Sequence, residues 1–264
     1  MEERDIGYYS MESIGELYDA VRPYRERADV GFYVDEARNA GGKVLEAGCG
    51  TGRVLIPIAR EGIAITGIDQ SSQMLDRCRS SIAREPDDVR GRITLHQADM
   101  REFDIGETFA LAIIPFRPFQ HLLEVGEQVS TLRCIHDHLD PGGRLVFDVF
   151  HADFGILAAG SMPEKEDTPE TLLPDGRRFR RTGAVTAVHR ARQVSDVEMA
   201  YYVTDADGGT ERLVQRFSMR WFSRFEIEHL LARTGYSVEA VYGNFDRSAL
   251  TDDSPEMIFV AERR

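Results

Sequence analysis

The chain has 264 residues and a formal net charge of −13, with 32 Lys and Arg against 45 Asp and Glu. This charge opposes the field of a phosphate polymer, so we expect no nucleic acid partner. The three cysteines lack disulfide or zinc spacing, and no apolar stretch has the length of a membrane helix. We therefore expect a soluble, cytoplasmic protein that binds no metal and no membrane.

Short apolar runs alternate with amphipathic helical stretches from Lys43 to Phe150, the pattern of a parallel sheet covered by helices. The segment includes a predicted helix with Val125, Val129 and Leu132 on one face. The predicted strands are, in chain order, Lys43–Ala47, Ala64–Asp69, Ile93–Gln97, Phe109–Ile114 and Arg144–Phe150.

The composition changes after Phe150. A Pro-, Glu- and Asp-rich stretch, Ser161–Pro174, predicts a loop. Three alternating segments then predict an antiparallel meander near Arg177–Arg190, Val194–Thr204 and Glu211–Phe222. The α/β pattern returns in a helix from Ser223 to Arg233 and in the strands Tyr236–Tyr242 and Met257–Glu262. We predict a doubly wound core, residues 43–150 and 223–264, with residues 151–222 inserted as an antiparallel β lid over the substrate.

Three glycines follow the first core strand in Gly48-Cys-Gly-Thr-Gly52, preceded by Glu46. Glycine lets the backbone turn sharply and lets a ligand approach main-chain atoms. A dinucleotide fingerprint needs its third glycine at Arg53, so this loop does not fit a pyrophosphate. Asp69 ends the second strand and Asp99 follows the third, which predicts ligand-binding carboxylates at the same edge of the sheet.

These motifs, Glu46-Ala-Gly-Cys-Gly-Thr-Gly52, Gly67-Ile-Asp-Gln-Ser71, Gln97-Ala-Asp-Met100 and Leu139-Asp-Pro-Gly-Gly143, resemble those of class I S-adenosylmethionine-dependent methyltransferases. The resemblance implies a Rossmann-like, seven-stranded α/β sheet with an antiparallel last strand. It also implies S-adenosylmethionine as methyl donor, S-adenosylhomocysteine as product, and residues 1–42 as a helical cap over the cofactor. The residues that it implies for cofactor binding are Tyr18, Glu46, Gly48, Gly50, Gly52, Asp69, Gln70, Met74, Asp99, Met100 and Ile114.

The fourth strand runs into Pro115-Phe-Arg-Pro-Phe-Gln-His-Leu122, beside the expected methyl position. The segment lacks the Asn/Asp-Pro-Pro-Tyr/Phe motif of nucleic-acid amino-methyltransferases and is closer to deoxysugar N,N-dimethyltransferases, which share a histidine at His121. His121 is the candidate general base, with a structural or orienting role as the alternative. The predicted substrate contacts are Phe116, Phe119, Tyr201, Arg216 and Trp221.

The sequence therefore predicts an enzyme that methylates a nitrogen or oxygen of a small molecule. The alternatives are a nicotinamide-dependent oxidoreductase, an inactive cofactor-binding protein, and a protein or RNA methyltransferase that uses Arg177, Arg178, Arg180 and Arg181 as a basic patch. A homodimer is left open.

Overall fold

The computed structural model describes Glu2–Asp5, Leu17, residues 21–173 and residues 175–264. The strands are β1 (Glu2–Asp5), β2 (Val44–Ala47), β3 (Ile65–Asp69), β4 (Ile93–Gln97), β5 (Phe109–Ile114), β6 (Leu139–Phe150), β7 (Met162–Leu172), β8 (Arg178–His189), β9 (Val194–Thr204), β10 (Thr210–Arg220), β11 (Tyr236–Tyr242) and β12 (Glu256–Arg263). The helices are α1 (Arg22–Arg25), α2 (Asp29–Ala40), α3 (Leu55–Arg60), α4 (Ser72–Ile82), α5 (Asp87–Arg90), α6 (Val125–Asp137), α7 (Phe154–Ala159) and α8 (Arg224–Arg233). Among the described helices, none is long and apolar enough to cross a membrane.

The described chain forms two compact units. One comprises Ala28–His151 and Trp221–Arg264 and holds a seven-stranded sheet of order β11-β12-β6-β5-β2-β3-β4. Its inner strands are parallel, and β12 runs antiparallel to both β6 and β11. The predicted Rossmann-like fold with an antiparallel last strand is therefore confirmed.

The seven-stranded sheet is buried on both faces, because alternate residues of its central strands point to opposite sides. On β6, Phe147 and Val149 join one buried cluster with α6 and α8, whereas Val146 joins the other with α2, α3 and α4. Both clusters continue across β5 and β12. This double packing fixes the strand ends, and with them every loop at the carboxyl edge of the sheet.

The second unit comprises the described residues before Ala28 together with Ala152–Arg220. Strands β8, β9 and β10 form the predicted antiparallel meander, β7 adds to β8 as an antiparallel strand, and β1 adds to β10 as a parallel edge strand. The predicted loop over Ser161–Pro174 differs from the structure, in which Met162–Leu172 is the edge strand β7. Its sequence looks like a loop because its acidic residues serve as partners for arginines of the neighbouring strand.

The arginines of β8 and the turn before it are paired with acids. Ion pairs join Arg178 to Glu170, Arg180 to Glu166, Arg181 to Asp167 and Arg177 to Asp175. Arg181 is almost fully buried, whereas the other three arginines are partly exposed. Neighbouring acids therefore offset the charges of these arginines.

Candidate active site

Residues Gly48–Gly52, the glycine loop, follow β2 and precede α3. Gly48, Gly50 and Gly52 have φ angles of +77°, +55° and +87°, in the left-handed region that favours glycine. A Cβ at Gly48 would lie 3.0 Å from Pro118 Cγ, and one at Gly52 would lie 2.8 Å from Cys78 Sγ. At Gly50 a Cβ would meet nothing within 4 Å. Gly50 therefore borders open space at the carboxyl edge, while the other two glycines allow close packing.

Asp69 ends β3 and faces the glycine loop. Its Oδ2 accepts a hydrogen bond from Gly50 N at 2.9 Å, and its Oδ1 accepts one from Ser71 N at 2.8 Å. Burial raises the pKa of Asp69, and the hydrogen bonds from Ser71 and Gly50 oppose that shift. Each oxygen keeps a further lone pair, so the carboxylate is oriented by backbone and can still accept hydrogen bonds from a ligand.

Glu46 lies on β2 and is 2% exposed. Among the described residues its Oε2 has no hydrogen-bond partner. Burial raises its pKa well above the ordinary glutamate value, although the charge of Arg53 opposes this. Arg53 itself donates to both oxygens of the buried Asp29, at 2.7 and 2.6 Å. A buried polar atom without a partner indicates that a ligand or water group completes this site.

Asp99 follows β4 and binds Arg101. Its Oδ1 accepts from Arg101 N at 2.9 Å, and its Oδ2 accepts from Arg101 Nη2 at 2.6 Å. These hydrogen bonds lower the pKa of Asp99. The predicted adenine contact of Asp99 stays a prediction, and its carboxylate is shared with a cation that sequence reasoning did not include. Met100 lies beside the glycine loop, with its Cε 3.4 Å from the position of a Cβ on Gly48.

Residues Pro115–Leu122, the β5 turn, leave the end of β5. Phe116 and Arg117 both have left-handed backbones, with φ angles of +69° and +70°. A 3₁₀ turn over Pro118–His121 follows, and His121 is half-buried. The guanidinium of Arg53 lies 5.0 Å from the centre of the Phe116 ring. The structure thus brings Phe116 of the β5 turn together with Arg53, whose charge acts on Glu46.

Two residues predicted around this turn lie in the core instead. Phe119 is fully buried and packs against Phe147 and Phe222, with ring centres 5.1 and 5.6 Å apart. Its environment is that of a packing residue, unlike the predicted pocket wall. Ile114 is also fully buried in the same cluster, so its side chain supports the strand end.

The predicted contacts in the β-rich segment are dispersed. Tyr201 is buried, stacks on Phe179 and donates a 3.4 Å hydrogen bond to Gln215, which makes it a packing residue in place of the predicted substrate contact. Arg216 donates to Glu198 Oε2 at 2.9 Å. Trp221 belongs to the unit with the seven-stranded sheet.

Three further predicted cofactor residues have weaker structural evidence. The exposed Gln70 accepts a hydrogen bond at its carbonyl from Gln97 Nε2, and the backbone of Met74 donates to Ser71 Oγ, the N-cap of α4. Tyr18 lies outside the described residues.

Sequence reasoning missed one buried group beside the β5 turn. Asp148 Oδ1 on β6 accepts hydrogen bonds from Tyr33 OH at 2.5 Å and from Phe116 N at 2.9 Å. A single acid inside the apolar run Leu145–Phe150 is the signal that could have identified it, because a buried carboxylate requires hydrogen-bond donors.

Residues 44–143 match a family model described as a methyltransferase domain. A dTDP-3-amino-3,6-dideoxy-alpha-D-glucopyranose N,N-dimethyltransferase from Streptomyces fradiae is 29% identical over 89% of this chain and 88% of the relative. The CcbJ methyltransferase from Streptomyces caelestis superposes with a TM-score of 0.79 at 20% identity, covering 95% of this chain and 96% of that one. CalS10, an amino pentose methyltransferase from Micromonospora echinaspora solved with S-adenosylmethionine bound, has a TM-score of 0.70 at 25% identity, over 94% and 97% of the two chains.

The chain carries a methyltransferase domain, and its fold and its relatives are those of S-adenosylmethionine-dependent methyltransferases of class I. The carboxyl edge of the sheet fits its cofactor in three respects. Gly50 leaves space at the backbone, Asp69 presents an oriented carboxylate for the ribose hydroxyls, and Glu46 has a buried oxygen for the cationic methionine part. The roles of these three residues in holding S-adenosylmethionine stay predictions.

Proposed function

We propose that this methyltransferase acts on the amino nitrogen of a small aminodeoxysugar. The observation that carries the proposal is the likeness to the Streptomyces fradiae enzyme, which extends over 89% of the chain and so includes the β-rich segment as well as the methyltransferase domain. The substrate in the name of that relative is an amino sugar. The substrate-lid role of residues 151–222, the cytoplasmic location and the homodimer stay predictions.

The local chemistry supports a small acceptor over a polymer. The net charge of −13 opposes binding of RNA, and the arginines that formed the predicted basic patch are paired with neighbouring acids. The β5 turn also begins with Pro115-Phe116-Arg117, which lacks the polar residue that receives a nucleobase amine.

Methyl transfer to an amine requires little from the protein beyond orientation, exclusion of water and removal of one proton. When bound, S-adenosylmethionine supplies an activated methyl group, so that the acceptor nitrogen bonds to the methyl carbon while the carbon–sulfur bond breaks, which gives S-adenosylhomocysteine and a methylated ammonium. Glu46, Gly50 and Asp69 hold the donor. His121, at the end of the β5 turn, accepts the proton that the acceptor nitrogen releases.

The acceptor class is tested with purified protein and radiolabelled S-adenosylmethionine. The panel contains a nucleoside-diphosphate 3-amino-3,6-dideoxyhexose, the matching 3-hydroxy sugar, total RNA and total cell protein. We expect label in the amino sugar alone, with one or two methyl groups found by mass spectrometry. Label in RNA or protein, or in the hydroxy sugar alone, would contradict the proposal, and no label in any fraction would favour the inactive cofactor-binding alternative.

The role of His121 is tested by His121→Ala, with the exposed His229→Ala on α8 as control. If His121 accepts the proton, kcat falls by about 10²–10⁴-fold, the acidic limb of the pH profile disappears and the affinity for S-adenosylhomocysteine stays the same. A fully active His121→Ala enzyme at saturating acceptor would rule out this role, and a rise in KM alone would indicate orientation only.

A further inference from the structure

A buried carboxylate supports the β5 turn from the neighbouring strand. Asp148 is fully buried on β6, one residue beyond Phe147, which pairs with the last residue of β5, Ile114. Its neighbours in the strand, Val146, Phe147 and Val149, are apolar and buried. An ionisable group costs free energy at such a position unless donors are directed at it, so its presence in this strand requires a structural reason.

The donors come from two distant parts of the chain. Tyr33 OH on α2 and Phe116 N in the β5 turn both donate to Asp148 Oδ1, at 2.5 and 2.9 Å. Tyr33 is itself fully buried and packs edge to face against Phe32. Its phenol therefore has a fixed position, and Asp148 transmits that position to the backbone of Phe116.

The backbone that Asp148 holds is strained. Phe116 and Arg117 are consecutive non-glycine residues in the left-handed region, a conformation that L-residues adopt at a cost and that persists only where surrounding contacts enforce it. Such strain is concentrated at functional sites. The hydrogen bond from Phe116 N holds the backbone of the first of the two strained residues.

Further contacts hold the rest of the turn. Arg117 forms an ion pair with Glu256 of β12, Gln120 Oε1 accepts a hydrogen bond from Phe150 N at 2.9 Å, and Leu122 O accepts one from Gln128 Nε2 at 2.8 Å. His121 lies between the last two anchored residues. Gln120 connects the turn to β6, the strand that carries Asp148, and Leu122 connects it to α6.

We propose that Asp148 is a positioning residue for methyl transfer, which holds the strained start of the β5 turn through Phe116 N and so fixes where Phe116 and His121 stand at the carboxyl edge. The inference rests on the proposed function insofar as the turn serves the acceptor. The effect of Asp148 on the stability of the β5 turn can be measured without any acceptor. Asp148 is assigned no contact with the acceptor or the donor.

The test compares Asp148→Ala and Asp148→Asn with Glu36→Gln as the matched control. Glu36 is also a buried carboxylate, 4% exposed, but it pairs with Arg144 and Arg247 away from the β5 turn. Amide hydrogen exchange of the peptide containing residues 115–122 is measured by mass spectrometry. We expect about tenfold or faster exchange in Asp148→Ala, little change in Asp148→Asn, whose oxygen can still accept both bonds, and none in Glu36→Gln.

Steady-state kinetics on the best acceptor complete the test. We expect kcat of Asp148→Ala to fall by about 10–100-fold, with the affinity for S-adenosylhomocysteine unchanged and kcat largely restored in Asp148→Asn. If Asp148→Ala does not fold, Tyr33→Phe removes one donor and is expected to change exchange and kcat in the same direction. Exchange at the wild-type rate in Asp148→Ala, or in Tyr33→Phe where it replaces Asp148→Ala, would overturn the proposal. An unchanged kcat in the same variant would also overturn it. If the wild type methylates no acceptor, the proposed function fails, while the exchange measurement still decides the role of Asp148.

Discussion

In the five-stranded sheet, partly buried carboxylates pair with cationic side chains, whereas carboxylates at the carboxyl edge of the seven-stranded sheet do so less often. Asp167 binds the guanidinium of Arg181 at 2.7 Å, and Glu198 binds that of Arg212 at the same distance. Asp69 instead accepts from the backbone of Gly50 and Ser71, and Glu46 Oε2 has no partner among the described residues.

The difference teaches what each kind of charge contributes. A carboxylate bound by a guanidinium has its negative charge compensated within the protein, so it specifies strand register and the local packing. A carboxylate oriented by backbone N–H groups keeps acceptor capacity in a desolvated place, which is the arrangement that binds a polar ligand. Stability should therefore respond to the first group and ligand affinity to the second.

The largest effect is expected for Arg181→Met in the five-stranded sheet. The substitution leaves Asp167 without its buried partner and removes the contact between Arg181 and Tyr24 OH, so the free energy of unfolding should fall by about 3–5 kcal/mol. Urea unfolding followed by circular dichroism measures it. The control, Arg178→Met, breaks an exposed pair and should cost less than about 1 kcal/mol. Equal losses in the two variants would contradict the contrast.

The same contrast explains what the sequence could predict. The glycine loop, Asp69 and the positions of the core strands follow from local spacing, because a strand, a tight turn and a helix cap are each determined within a few residues. The antiparallel last strand was implied by the family resemblance. Strand β7 was predicted as a loop because the acids that pair with β8 arginines have low strand propensity. There the tertiary ion pairs outweigh the local preference.

Contacts between distant residues explain the other misses. Tyr33 and Asp148 are 115 residues apart, and neither has a neighbour in sequence that points to the other. Phe119 was predicted to line a pocket because its turn lies at the ligand-binding edge of the sheet. In the structure its ring packs against Phe147 and Phe222. The chain reaches this position after two residues with left-handed backbones, Phe116 and Arg117. A single sequence does not predict left-handed backbone conformations at two consecutive non-glycine residues.

At the carboxyl edge, Gly50→Val should abolish cofactor binding. Its Cβ would enter the open space beside the glycine loop, and we expect the Kd for S-adenosylhomocysteine to rise by about 100-fold or more in calorimetry. The control is Gly62→Val, which also has a positive φ and open space but lies after α3. It should share the loss of stability and keep its affinity. If both variants bind normally, the glycine loop is not the site.

Asp69→Ala should weaken binding by about 2 kcal/mol, because the ribose hydroxyls lose a charged acceptor. The exposed Asp76→Ala on α4, which breaks only a surface pair with Arg79, is the matched control and should leave the Kd unchanged. Titration calorimetry with S-adenosylhomocysteine compares the two. An unchanged Kd in Asp69→Ala would mean that Asp69 does not bind the cofactor. It would also contradict the claim that a carboxylate oriented by backbone N–H groups serves ligand affinity.

The smallest effect is expected for Glu46→Gln. Removing the charge of an unpaired buried carboxylate should raise stability, whereas removing that of a carboxylate paired with arginines should lower it. Burial holds its folded pKa above the ordinary value of 4.5. Between those two values the folded chain keeps a proton that the unfolded chain has lost, so the stability of the ligand-free wild type falls as pH rises through that window. Glu46→Gln has no such proton. Its free energy of unfolding should equal the wild-type value near pH 4.5 and exceed it above the window.

Glu36→Gln tests whether this gain is specific to a carboxylate without a cationic partner. It leaves Arg144 and Arg247 without their buried acid, so it should lower stability throughout the pH range. Thermal unfolding from pH 5 to pH 9 separates the two variants. Glu46→Gln should also bind S-adenosylmethionine more weakly, since a neutral amide replaces the group opposite the cationic methionine part. A Glu46→Gln protein that is less stable than wild type at every pH would mean that Glu46 is paired within the protein. Glu46 would then not be a carboxylate kept without a cationic partner for the ligand.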